Sequence, residues 1–444
     1  MLSQLAKEGK TGSLLIKGGR ILNPNEKFDA VADILIIDGV VSAIGENLKT
    51  PPEKDFPVYD AQGLVVTPGL VDMHVHLREP GLEAKEDIVS GTYAAAAGGF
   101  TTVACMANTK PVVDNAALVS GLKERARSEG VVNVEIIGAL SKGQEGKELA
   151  EIGDMIERGA VAVSDDGSSA LFNTQLIRTG LEYTGMFGKT VISHAEDTFL
   201  TQDTLMHEGD VSAMLGLRGR PSVAEDIAVA RDVLLAEYTN SAVHIAHVSS
   251  KGAVDIIRQA KAKGVQVTAE ATPHHLTLSD EKLAAFNTAF KINPPLRSQD
   301  HIQAVRAGLK DGTIDAIATD HSPHAFEEKD VEFKYAPSGF TGMETSLGVI
   351  LTNLYHTGEF SLMEIIEKMS LNPAKILQLD AGCLQVGKKA DLTVIDPDLS
   401  WTVESEKLYT RGKHTPFAGE TLKGKAVATI INGKFIMKNG EVLA

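Results

Sequence analysis

Eight short β-rich runs recur along the middle of this chain, each ending in polar or chemically active residues and followed by a helix-like segment. The runs are residues 69–76, 100–106, 132–139, 160–166, 190–194, 242–247, 265–271 and 316–320. The segments 83–97, 115–129, 145–158, 174–187, 223–237, 250–263, 300–309 and 362–379 read as helices. Local punctuation supports this: Gly98-Gly99 and Gly130 are stop signals, and Asn115 is an N-cap residue type. Eight βα units in series predict an α/β fold of the (β/α)8 TIM-barrel type. A doubly wound sheet rarely runs to that many units. The barrel is expected over residues 66–380.

Residues 1–65 and 381–444 differ in character. LLIKGGRIL, ADILIIDGVVSAIG and AQGLVV on one side, and ADLTVIDP and AVATIINGKFIMKNGEVL on the other, are short alternating strands. Asn-Gly, Asp-Gly and Gly-Gly turns separate them. Neither end can build a core alone, so the two are expected to combine into one small β-sandwich.

In such a barrel the active-site face lies at the strand C-termini. The first run ends in Asp72-Met73-His74-Val75-His76, and residues i and i+2 of a strand share a face. His74 and His76 can therefore bind one metal ion together. The fourth run ends in Asp165-Asp166; adjacent aspartates point opposite ways, so at most one faces a metal directly. The fifth ends at His194 and the sixth at His247, with His244 on another face and read as structural. The eighth ends at Asp320, which can bind a metal with one oxygen and carry a proton on the other. His74, His76, Asp166, His194, His247 and Asp320 make four imidazoles and two carboxylates. One zinc site needs only three protein ligands, so this set suits two zinc ions bridged by a hydroxide. His274-His275 reads as structural or supporting, and His207, His301, His356 and His414 as peripheral.

Composition narrows the partners. The net charge of −16 argues against nucleic-acid binding, and an anionic substrate would need a local cation to offset that field. Two cysteines are too few for a disulfide framework. With no apolar run of signal-peptide or membrane-span length, a cytoplasmic protein without membrane contact is expected.

The stretches DMHVHLREP (72–80) and ATDHSPHAFEEK (318–329) resemble the signature motifs of dihydroorotases of the bacterial class I type, in the amidohydrolase superfamily. The resemblance covers essentially the whole chain. It implies reversible cyclisation of N-carbamoyl-L-aspartate to (S)-dihydroorotate with loss of water, the third step of de novo pyrimidine (UMP) synthesis. It implies the same six metal ligands, with two Zn2+ bridged by hydroxide and Asp166, and Asp320 as proton carrier. Substrate contacts carry over to Arg78, to Asn108 in MANTKP, to Asn293 in KINPPLR, to His324, and to the backbone at Ser338 and Gly339 in APSGFTG. A homodimer, and association with aspartate transcarbamoylase, are implied partners. Hydantoinases and allantoinases place a carboxylated lysine on the fourth strand; this one has none, so Asp166 must serve. Those cyclic amidohydrolases are the competing reading. A non-catalytic homologue is a further one, disfavoured because all six ligand positions are filled.

Overall fold

The computed structural model describes residues 12–52, 56–167 and 173–443. Eight parallel strands follow one another in sequence order: β1 (Leu70–Val75), β2 (Phe100–Cys105), β3 (Asn133–Gly138), β4 (Ala160–Ser164), β5 (Val191–Ser193), β6 (Val243–Ile245), β7 (Val267–Ala271) and β8 (Ala316–Ile317). The ring closes just past β8. Val75 bridges His321 in parallel, and the His76 N–H donates to the His321 carbonyl at 2.8 Å. Inside, the small Ala104, Ala162 and Ala246 from β2, β4 and just past β6 mesh with the larger Met73, Ile137 and Ile192 of β1, β3 and β5. Such interdigitation fills the barrel and leaves no pore.

Most helices start and stop where their caps dictate. Asn115 accepts from the Leu118 N–H ahead of Ala116–Glu129, and Gly130 ends that helix. Two segments are shorter than their periodicity suggests. The helix expected from 83 begins at Ile88, because Asp87 is its N-cap and accepts from the Ser90 N–H. The one expected over 145–158 is reduced to Ile152–Glu157. Gly143 and Gly146 take left-handed φ values of 56° and 67°, and Ser141 bridges Leu149 there. A helix not expected from the sequence, Met343–Ile350, continues as a π-helical turn through Leu351–Tyr355. Nearly all of its first eight residues are buried, so it shows no amphipathic period.

The two ends of the chain join as expected, in one nine-stranded sheet. Val65–Pro68 is the seam, parallel to Leu14–Asn23 on one side and antiparallel to Leu392–Thr402 on the other. The sheet folds over so that Val40 bridges Lys389. Ile16, Ile34, Val66, Val394 and Ile430 then share one core. Its hairpins turn at Asp38-Gly39, Asn432-Gly433 and Asn439-Gly440, where both central residues have positive φ, as type I′ turns require. Gly69 carries the chain from sheet to barrel, and a Cβ there would lie 2.0 Å from Thr101 Oγ1. Among the described residues no helix is long and apolar enough to cross a membrane.

Candidate active site

The strand ends bring all six candidate ligands together, and Asp166 stands at the centre. Its Oδ2 lies 3.2 Å from His74 Nε2 and 3.4 Å from His76 Nε2. Asp320 Oδ1 completes that side, 3.2 Å from His76 Nε2 and 3.6 Å from His74 Nε2. The other oxygen of Asp166, Oδ1, lies 2.7 Å from His194 Nδ1 and 3.3 Å from His247 Nε2, and those two nitrogens are 2.9 Å apart. One carboxylate thus serves two clusters of nitrogen and oxygen donors. Ligand atoms ~2.1 Å from a shared tetrahedral zinc sit ~3.4 Å from each other, so these spacings and donor types fit divalent metal. Burial alone would raise the Asp166 and Asp320 carboxyls. The surrounding imidazoles outweigh it and hold both well below the ordinary carboxylate range. Both are therefore anions facing the donor cluster.

The chain bends sharply to aim these groups. Arg78, His247 and Asp320 have φ values of 63°, 33° and 49°, a region that non-glycine residues seldom occupy. Strain of this kind persists where the surrounding structure over-determines it, commonly at functional sites. Asp165 turns away from the cluster and accepts from the Leu140 and Ser141 N–H groups at 2.8 and 2.9 Å.

Sequence reasoning missed Glu270. This buried carboxylate on β7 places Oε1 2.6 Å from His74 Nδ1 and Oε2 3.2 Å from His244 Nε2. Oε1 also accepts from the His247 N–H at 3.3 Å. Thr268 Oγ1 finishes the chain, 2.9 Å from His244 Nδ1. The available signal was an acid in the interior of an otherwise buried strand.

Around the cluster lie the remaining candidates. Arg78 is buried; its Nη2 donates to Ser322 Oγ at 2.6 Å and its Nε to the Pro323 carbonyl at 3.1 Å. Burial pushes its guanidinium down to about 10, so it stays cationic at neutral pH. His324 donates from Nε2 to the Ser338 carbonyl at 2.8 Å, and burial together with Arg78 lowers it to about 3. Gly339, at φ 123°, packs against Ser322. Asn108 places Oδ1 2.8 Å from His76 Nδ1, and its amide fills the space a Cβ on Gly167 would need. Asn293 Nδ2 lies 3.3 Å from both His194 Nε2 and Glu196 Oε2, while its Oδ1 accepts from Arg220. Of the histidines set aside, His275 bonds the Pro294 carbonyl, and His274 packs edge-on against Phe340.

This barrel and its histidine–aspartate cluster define the amidohydrolase class of enzyme. A family profile described as Dihydro-orotase-like matches residues 63–253, and an Amidohydrolase family profile matches residues 298–437. A dihydroorotase of Geobacter sp. (strain M21) is 53% identical over 96% of this chain and 100% of its own length. One from Pelotomaculum thermopropionicum is 52% identical over 96% of this chain and 99% of its own. The L-hydantoinase of Arthrobacter aurescens superposes with a TM-score of 0.88 at 27% identity, covering 98% of each chain. The chain belongs to the dihydroorotase family, hydrolases that act on cyclic amide bonds.

Proposed function

We propose that this chain interconverts N-carbamoyl-L-aspartate and (S)-dihydroorotate with a zinc centre of one to two ions, in cytoplasmic pyrimidine synthesis. The observation that carries the reading is the placement of Asp166 between two donor clusters, with buried Arg78 just downstream of His76. His74, His76 and Asp320 would hold one ion and His194 and His247 the other, with Asp166 reaching both. Zinc bound there supplies acidified water and a polarised carbonyl.

The chain's own groups do the rest. Asp320 spends Oδ1 on the His74–His76 side, which leaves Oδ2 to carry a proton. In ring opening it takes the proton of the attacking water and delivers it to the departing ring nitrogen. In closure it takes the ureido proton and returns it to the leaving water. Arg78 supplies the cation for the substrate's free carboxylate, with Asn108, Asn293 and neutral His324 around it and Ser338 and Gly339 as the wall. This local cation offsets the −16 envelope. A homodimer, associated with aspartate transcarbamoylase, is the assembly we propose.

The competing hydantoinase reading requires a neutral ring. Comparing dihydroorotate with dihydrouracil separates them: hydrolysis of dihydroorotate alone supports the assignment, and equal or better use of the neutral ring contradicts it.

A further inference from the structure

The motif ATDHSPHAFEEK ends on Lys329, which the proposed reaction does not use. Lys329 closes the one-turn helix Phe326–Lys329 and is only 1% exposed. Its ammonium donates to the Pro337 and Gly339 carbonyls at 2.9 and 2.8 Å. A second lysine serves the same loop from the other side. Lys291, also buried, donates to the Phe333 and Lys334 carbonyls at 2.7 and 2.9 Å, and its own carbonyl accepts from the Gly339 N–H at 2.9 Å. The nearby acid, Glu328, places Oε1 2.8 Å from Lys85 Nζ, while its Oε2 accepts from the Ala325 N–H at 3.1 Å and lies 3.4 Å from His324 Nδ1. Burial lowers Lys329 to about 7 and Lys291 to about 8; among the described residues neither has a carboxylate within ion-pair distance, and the carbonyls of one loop take their N–H groups instead.

That loop, residues 333–339, touches the carboxylate pocket twice. The Ser338 carbonyl accepts from His324 Nε2 at 2.8 Å. Gly339 lies so close to Ser322 that a Cβ there would come within 2.7 Å of the Ser322 oxygens, and Ser322 Oγ accepts from Arg78 Nη2 at 2.6 Å.

We infer that Lys329 and Lys291 are positioning residues that clamp residues 333–339, so that Ser338 aims the His324 ring and Ser322 aims the Arg78 guanidinium. They set affinity for the substrate's free carboxylate and leave the ring step alone. The inference rests on the reading that Arg78 receives that carboxylate, with the neutral His324 ring packed beside it.

The test is steady-state kinetics of the metal-loaded enzyme with Lys329→Met, Lys291→Met and Arg78→Lys side by side. Methionine keeps the length of the stem and removes the donors. Each lysine variant is expected to raise KM for dihydroorotate about tenfold, the equivalent of one lost hydrogen bond, with kcat and metal content near wild type. Amide hydrogen exchange over 333–339 should accelerate in both. If Lys329→Met does not fold, Lys291→Met at the other end of the loop decides. An unchanged KM in the lysine variants, while Arg78→Lys raises it, overturns the clamp. A parallel loss of kcat and metal does so too, by making the lysines mere scaffold. An unchanged KM in Arg78→Lys instead refutes the pocket reading itself.

Discussion

Asp320 has one oxygen committed to the His74–His76 side and one left over, and that division makes it testable. Asp320→Asn keeps the size and a metal-binding oxygen but loses the basic one. General acid–base transfer contributes about 10²–10⁴-fold, and turnover should fall by at least that much. Metal content should fall far less than in His74→Ala. Recovery of near-normal turnover on adding zinc would leave Asp320 a simple ligand. Glu270 is the complementary case, since it touches His74 and the His247 backbone without facing the cluster. A carboxylate on the far nitrogen fixes the tautomer of a metal-binding imidazole and raises its basicity. Glu270→Gln should therefore weaken zinc binding about 10–100-fold, read by competition with a chelator. Unaltered affinity would mean that Glu270 only packs.

Between elements, the contacts most exposed to test are those that pin the segment 408–411 over the barrel. Glu344, near the start of Met343–Ile350, accepts from the Tyr409 N–H at 2.9 and 3.1 Å and from the Thr410 N–H at 3.1 Å. Glu86 receives the Thr410 hydroxyl and lies 3.3 Å from His321 Nε2, so the segment reaches the residue that follows Asp320. Burial is the main cause that lifts the Glu344 carboxyl to about 7, with Lys413 pulling it down and Glu86 pushing it up. The folded pKa thus exceeds the unfolded one, so the folded state binds more protons between about pH 4.5 and 7, and stability falls as pH rises through that window. Glu344→Gln keeps an acceptor and removes the charge. Its melting temperature should exceed wild type at pH 8, with the gap shrinking toward pH 5. A gap independent of pH would show that Glu344 carries no buried charge.

Elements were legible where local chemistry determines them. The caps at Asn115 and Gly130, the Asn-Gly and Asp-Gly turns and the alternation of β and α all act within a few residues. The helix over 343–355 was not legible, because burial on all sides erases its period. Nor was Glu270, whose meaning depends on His74, a partner 196 residues away. The roles of Lys291 and Lys329 depend likewise on carbonyls that only the fold brings to them.

At the scale of the whole molecule, the barrel gathers residues from 74 to 339 into one cup, and both ends of the chain share one sheet beside it. An envelope of −16 surrounds a cup whose histidine and aspartate donors could hold a metal ion and whose buried Arg78 carries a fixed positive charge. The most direct measurement removes metal with a chelator, then follows dihydroorotate formation from N-carbamoyl-L-aspartate as zinc is titrated back. The account predicts no ring closure in the stripped protein and activity that rises with zinc to saturate at one to two ions per chain. Ring closure undiminished by metal removal, or none at any zinc loading, would contradict it.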